Sequence, residues 1–505
     1  MFKSLRADKD AYITNKISNT EPAVSGNTGI AGSLDLFKIY GLTLLDSGTI
    51  KIPQLELSRL LLHFDLDPLR ELISSNKIDV NDSSFNCVLS LRDVYGGQTT
   101  PNNFTVDVFP LSASFDEGFG KDVVYFADRD VCNFVSASSA ASWYVTGCSQ
   151  ACDSVNQGDY ITSSLSIPST KVSQYFKTGE EDLLVDVTSI ISATLMGELP
   201  DQGFRISFSE SLENDEKTYF VKRFASRHAY DESKRPQLLV RFNDSIEDDN
   251  NNFYLDNTSK LFLYNYVSGQ PTNIVSASSY LTGNNCVLLE LKTLVSGVGD
   301  YSLYFTGSQF SIGSNYVSGV YYAEALASLT DSNIKNYFNV SGSVSFTPIW
   351  SDLTKTVSIL TGSVLAARAP SRGAKRLSPN RYTLSILGAA DEYQPEENVI
   401  LRVNIFDQND PIIKAKRLPV LIPGVVVRNS YYAIRNSSTN EYKIPFDTTY
   451  NSTKLSSDAD GMYFSLDTSS LVPGESYAVD IMLLIDGMQH VYKNASQSFR
   501  IRKLT

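Results

Sequence analysis

At 505 residues the chain is longer than one hydrophobic core organises, so two to four domains are expected. Hydrophobic residues make up 42% of it, and 28 Tyr and 26 Phe against 5 Met exclude a disordered chain and favour pleated, half-buried surfaces over helices. The formal charge of −13 divides into −11 over residues 1–244, −4 over 245–369 and +2 over 370–505. Such acidity repels phosphate backbones and sets nucleic acid aside as a partner of the first two thirds.

In chain order, residues 11–15 and 33–40 read as strands, the second alternating apolar and polar side chains with period two. Within residues 57–66, SRLLLHFDL sets Leu60, Leu62 and Phe64 on one face and Arg59, Leu61, His63 and Asp65 on the other, which predicts a dense strand covered on most of both faces. Asp67 then caps a helical turn with Pro68 at its first position, where the missing N–H costs nothing. Strands follow at 85–93 and 105–110. Residues 112–158, rich in Ser, Gly and aromatics and containing DEGFGKD, read as an insertion of surface loops. A strand at 183–187, a short helix at 188–196 stopped by Gly197, and strands at 204–209, 217–226 and 237–242 complete a sandwich of eight or more strands over residues 1–244.

Residues 245–252, SIEDDNNN, read as an acidic linker that buries nothing and runs through solvent. Short strands with regular turn signals resume from Phe253. They predict a small β-sandwich over 253–365, with one amphipathic piece at 321–338 expected as helix. Residues 366–381 form a basic linker: ARAPSRGAKRLSPNR carries five basic side chains and no acid. Arg372, Lys375 and Arg376 are the candidates for docking on an acidic surface, if the segment is more than a solvated connector. Residues 382–505 again show seven short strands, and their segment LVPGESYAVDIMLLIDG resembles the turn and penultimate strand of immunoglobulin-like β-sandwiches, which implies such a sandwich with a Pro-Gly corner and an inward-turning Tyr477.

No constellation points to catalysis. His63, His228 and His490 lie in three unrelated settings, with none at metal-ligand spacing to another. Cys148 and Cys152 form CxxxC with Cys132 upstream, which leaves open a zinc site or, more simply, free thiols. With Cys87 and Cys286 the cysteine count is odd. No charged leader followed by an apolar stretch is visible, and no apolar run is long enough for a bilayer. A reducing cytoplasm and no membrane span are therefore expected. Acidic residues crowd at Asp116, Glu117, Asp122, Asp128 and Asp130, and again at Asp391, Glu392, Glu396 and Glu397. Such clusters read as solvated faces or, failing that, calcium loops rather than a glycosidase pair. Tyr125, Phe126, Phe134, Trp143 and Tyr144 either pack a core or form a sugar-stacking platform.

Together, ADKDAYITNK, NTGIAGSLDLFKIYG, SRLLLHFDLDPL, LLVDVTSIISATLMGELPDQGFRISFSES and FASRHAYDESKRPQLLVRF resemble the DNRLRE-type β-sandwich, a jelly-roll family related to carbohydrate-binding modules. The resemblance covers residues 1–244 and carries no catalytic residue. It implies a surface-presenting or binding role, with Asp8 and Asp10 as the candidates for a structural calcium and no other cofactor. Followed by smaller immunoglobulin-like modules, such an N-terminus resembles virion structural proteins of large tailed bacteriophages. This implies an all-β chain of serial sandwiches that is not an enzyme. It would be assembled in the host cytoplasm into the virion, as a homo-oligomer or in many copies beside other virion structural proteins. The alternative reading is a receptor- or glycan-binding adhesin that grips a surface glycan through Tyr125, Phe126, Trp143 and Tyr144.

Overall fold

The structure, a computed structural model, describes residues 1–18, 21–44, 51–154, 156–276, 279–295, 299–368, 382–407, 424–485 and 487–503. The chain is all-β, a series of β-sandwiches with a few short helices. Contacts divide it into two compact units, Lys3–Glu71 with Phe85–Arg241, and Met1–Phe2 with Leu72–Ser84 and Phe242–Thr505. Besides Met1–Phe2 and residues 242–244 at its ends, the expected module 1–244 gives up one internal segment to the second unit. Residues 72–84 belong to the second unit because Asp79 accepts hydrogen bonds from the N–H and Oγ of Ser314, both at 2.8 Å, where Gly313 leaves room for its carboxylate.

In the first unit the strands run in the order Leu183–Asp186, Asn86–Leu91, Gln237–Arg241, Phe2–Thr14, Lys51–Phe64, Phe204–Phe208, Phe104–Pro110 and Val172–Phe176. Lys51–Phe64 serves two sheets. Its first half pairs with Ser33–Leu44, which continues to Tyr219–Ala225, and its second half pairs with Phe2–Thr14 from Ser58↔Thr14 to Phe64↔Ala7. That double duty explains the leucines on both faces: Leu60, Leu61 and Leu62 are all fully buried. The two end strands are joined by a side chain. Gln174 donates through Nε2 to the Asp182 carbonyl and accepts the Leu184 N–H, each at 2.7 Å, so its amide stands in for a missing peptide. Two lysines are wholly buried, and each is satisfied by oxygens. Lys38 reaches the Leu212 carbonyl and the Asp215 carboxylate at 2.6 Å, and Lys222 reaches Asp93 and the carbonyls of Gly179 and Glu181.

In the second unit, Thr258–Tyr264, Asn315–Leu326, Gly299–Ile312, Val287–Val295, Val344–Ser351 and Ser358–Thr361 form an antiparallel sheet, with Leu365–Ala367 added to Val344–Ser351. The helix expected at 321–338 is corrected: Asn315–Leu326 is a strand, and the helix is Ser332–Ser341. Tyr321, Ala323 and Ala325 point into the core while Tyr322 and Glu324 face outward, a period of two that a helical reading overlooks. The true helix start is chemical. The Asp331 side chain caps the N–H groups of Asn333 and Ile334, and Gly342 ends the helix at φ +68°.

The last module is an immunoglobulin-like sandwich. Tyr382–Leu387, Asn398–Asp407, Gly461–Asp467 and Ser456–Asp458 form one sheet. Glu392–Tyr393, Phe499–Ile501, Ser476–Ile485, Ser430–Asn436 and Tyr442–Ile444 form the other, with Met488–Tyr492 also on Ser476–Ile485. Tyr432 and Phe464 stack across the gap with centroids 4.2 Å apart. Tyr477 turns inward as expected. Its Oη accepts the Val472 N–H at 2.8 Å and donates to Glu475 at 2.9 Å.

The acidic linker is also corrected. Residues 245–252 do not run through solvent but lie along Ser456–Asp458 of the last module. Glu247 bridges Ser457 in parallel, Ser457 N–H donates to Ile246 and Asp248 N–H to Ser457. Side chains complete the strap: Lys454 pairs with Glu247, and Arg428 with Asp249 at 2.8 Å. Backbone pairing satisfies polar groups that the composition alone assigns to water, and Asp248 and Asp249 become buried.

Candidate functional site

One buried side chain ties together the loops of residues 117–132. Asn27 donates through Nδ2 to the carbonyls of Glu117 and Cys132 at 2.8 and 2.9 Å, and its Oδ1 accepts the N–H groups of Gly120 and Gly29 at 2.6 and 3.3 Å. The glycines are required by distance. A Cβ at Gly29 would lie 2.1 Å from the Glu117 carbonyl, and one at Gly120 would lie 2.1 Å from that of Asn27. Held between Gly118 and Gly120, Phe119 is left 84% exposed.

Next to it, Asp122–Ala127 pairs with Gly26–Asn27 through a wide bulge, in which Asn27 faces Asp122 and Gly26 faces Ala127. Asp122 fixes the bulge by accepting the N–H groups of Val124 and Tyr125, both at 2.8 Å. Val124, Tyr125 and Phe126 are therefore carried outward, and Tyr125 is 84% exposed. Asp159, itself buried, accepts from the backbone of Tyr144, Val145 and Gln150, and leaves the Tyr144 ring exposed with its hydroxyl on Gln157 at 2.7 Å.

Of the expected platform, Tyr125, Phe126 and Tyr144 are exposed, but Trp143 is not part of it. Its indole is 6% exposed, donates to the Asn133 carbonyl at 2.9 Å and packs with Ile13, Leu61, Leu111 and Phe115. Phe134 is buried likewise. Phe119 is the exposed ring that aromatic counting misses, and its signal is the glycine on either side.

Asp8 and Asp10 do not converge. A register shift between Ala7 and Lys9 breaks the alternation of the first strand, so the two carboxylates leave it in different directions. Asp8 is exposed and meets His63 Nδ1 at 2.7 Å. Burial works to raise its pKa, but the His63 hydrogen bond and charge outweigh that and hold it below the ordinary range. The same contact raises His63. Asp10 is 1% exposed. One oxygen accepts the Arg227 N–H at 2.5 Å, and the other has no hydrogen-bond partner. Burial, followed by the nearby Glu117 charge, raises its pKa to about 7 against the pull of Arg227.

Calcium requires six to eight oxygens, and the residues around Asp10 do not fit it. Both Glu117 oxygens are taken by the Arg227 guanidinium at 2.5 and 2.6 Å, Asp8 faces elsewhere, and only one Asp10 oxygen is free. Among the described residues no group of three or more His, Cys, Asp or Glu is placed to hold a metal, and all five cysteines are free and buried. The other acidic clusters close turns. Asp128 accepts the Asp130 N–H, and Glu397 accepts that of Gln394. Arg372, Lys375 and Arg376 lie outside the described residues. Among those described, no helix is long and apolar enough to cross a membrane.

No family model and no curated protein matches the chain. Among solved structures it is similar to the ICAM-5 D1-D4 ectodomain fragment, at 12% identity over 49% of this chain and 50% of that one, with a TM-score of 0.13. It is also similar to the N-terminal four Ig domains of Dscam1 isoform 1.9, at 7% identity over 50% and 42%, with a TM-score of 0.12. The chain spans half or less of these structures. Scores this low carry no argument, and the all-β architecture stands on its own strands.

Proposed function

We propose that this chain is a non-enzymatic structural component of a tailed-phage virion, in the tail, baseplate, neck or capsid exterior, and that it works through protein–protein contacts. The observation that carries a contact-making role is the exposed apolar tip of Phe119, Val124, Tyr125 and Phe126 on loops pinned by Asn27. An apolar cluster on a rigid base suits a fixed neighbour, since little conformational entropy is lost when it is covered. Repeated in a symmetric assembly, weak contacts of this kind become strong through effective concentration. The virion setting rests on the sequence resemblance. Gold labelling of intact particles with an antibody to residues 1–244 tests it. Label at one fixed location supports the reading, and absence of both label and protein from the particles rejects it.

A second reading, a glycan-binding adhesin, is favoured by the exposed rings of Tyr125, Phe126 and Tyr144 and weakened by the burial of Trp143. Glycan-array binding that disappears in Tyr125→Ser would select it.

A further inference from the structure

We propose that the guanidinium of Arg227 is the built-in cation of the first unit, fastening residues 112–121 to the first strand in place of a metal ion and so holding the apolar tip. The clamp holds the tip whatever the tip binds.

Three separate pieces of chain meet at this point. Asp10 comes from Phe2–Thr14, Glu117 from the loop that carries Phe119, and Arg227 from the corner after Tyr219–Ala225. Arg227 Nε and Nη2 form a two-bond fork on Glu117, and its backbone N–H holds Asp10. The Asp10 N–H also donates to Glu117 at 2.9 Å, closing a triangle of hydrogen bonds. Two acids and one fixed positive charge occupy the place where an ion would be needed to keep carboxylates together. A planar fork suits this task better than a flexible ammonium. Lys9 reaches the Phe115 carbonyl at 3.4 Å, so a second cation borders the same junction, while the His228 ring, 3.7 Å from Glu117, is pushed toward its neutral form by burial and by the Arg227 charge. Directly beyond Glu117, its carbonyl is gripped by Asn27, the residue on which both the Phe119 turn and the Tyr125 bulge rest. The clamp and the tip are therefore mechanically continuous.

The test uses the full chain. Purified protein is examined by elemental analysis and by thermal unfolding in EDTA and in millimolar calcium, and then by limited proteolysis beside Arg227→Met and Arg227→Lys. The expected results are no stoichiometric calcium and one unfolding midpoint in both buffers. Cleavage within residues 115–132 is expected to rise about tenfold in Arg227→Met, as loss of a half-buried fork predicts, and by less in Arg227→Lys. Stoichiometric calcium, or a midpoint several degrees higher with it, overturns the proposal, as does a wild-type cleavage pattern in Arg227→Met. Should Arg227→Met fail to accumulate, Glu117→Gln reads the same clamp. Increased cleavage at 115–132 supports the proposal and unchanged cleavage rejects it.

Discussion

Asp248 shows how one side chain converts burial into pH dependence. It is 1% exposed, accepts the Asn250 N–H at 3.0 Å, and has its pKa raised from 3.8 to about 7, first by burial and then by Asp249 and Asp458. As pH rises through the ordinary carboxyl range the unfolded chain loses this proton while the folded chain keeps it. Stability therefore falls until the folded group also titrates near 7, and is level above. Asp248→Asn removes that penalty. The variant is expected to gain on wild type between pH 5 and pH 8 by at most roughly 3 kcal/mol, measured by urea unfolding at both values. An unchanged difference would contradict the burial account. Tyr477→Phe tests the corner of the last module. It leaves the Val472 N–H without its acceptor, and a loss of about 1–3 kcal/mol is expected in thermal unfolding.

At the scale of elements, strands whose two faces differ in burial are easily read, and strands that mix signals are not. Ser33–Leu44 alternates and is legible. Asn315–Leu326 places Tyr321 and Ala323 inward and ends on AEAL, a helix-favouring stretch that local propensity misreads until Thr258–Tyr264 and Gly299–Ile312 pair on its two sides. Gln174 belongs to this scale because it joins two end strands that no local pattern relates. Gln174→Leu deprives the Leu184 N–H and the Asp182 carbonyl of their shared partner. Faster hydrogen exchange at Leu184 and a loss of roughly 1 kcal/mol are expected, the small value reflecting access of water to an edge. Exchange at the wild-type rate would show that the stitch does not hold the edge.

At the scale of the molecule, the exposed tip separates stability from assembly. Phe119→Ser with Tyr125→Ser removes two exposed rings that support no core, so the unfolding midpoint is expected to stay put, within about 0.5 kcal/mol of wild type. Incorporation into particles is expected to fall. Normal incorporation would remove the tip from the proposed contact surface, and a large drop in stability would mean the rings do more than contact a neighbour. The strap of residues 246–249 on Ser456–Asp458 acts at the same scale, since it ties the start of the second unit to its last module.

Composition and periodicity by themselves determined the all-β class, the dense central strand and the loop region where rings are displayed, and the resemblance of one corner to immunoglobulin-like sandwiches implied the inward Tyr477. These follow from side-chain alternation and turn chemistry, which act over a few residues. Tertiary structure decided what depends on partners far away in sequence. It buried Trp143 and left Phe119 out, parted Asp8 from Asp10 at a bulge, set Arg227 on Glu117, and buried an acidic segment by pairing it with a strand some two hundred residues on. A side chain's environment is set by whichever strand lies beside it, and only the closed fold supplies that neighbour.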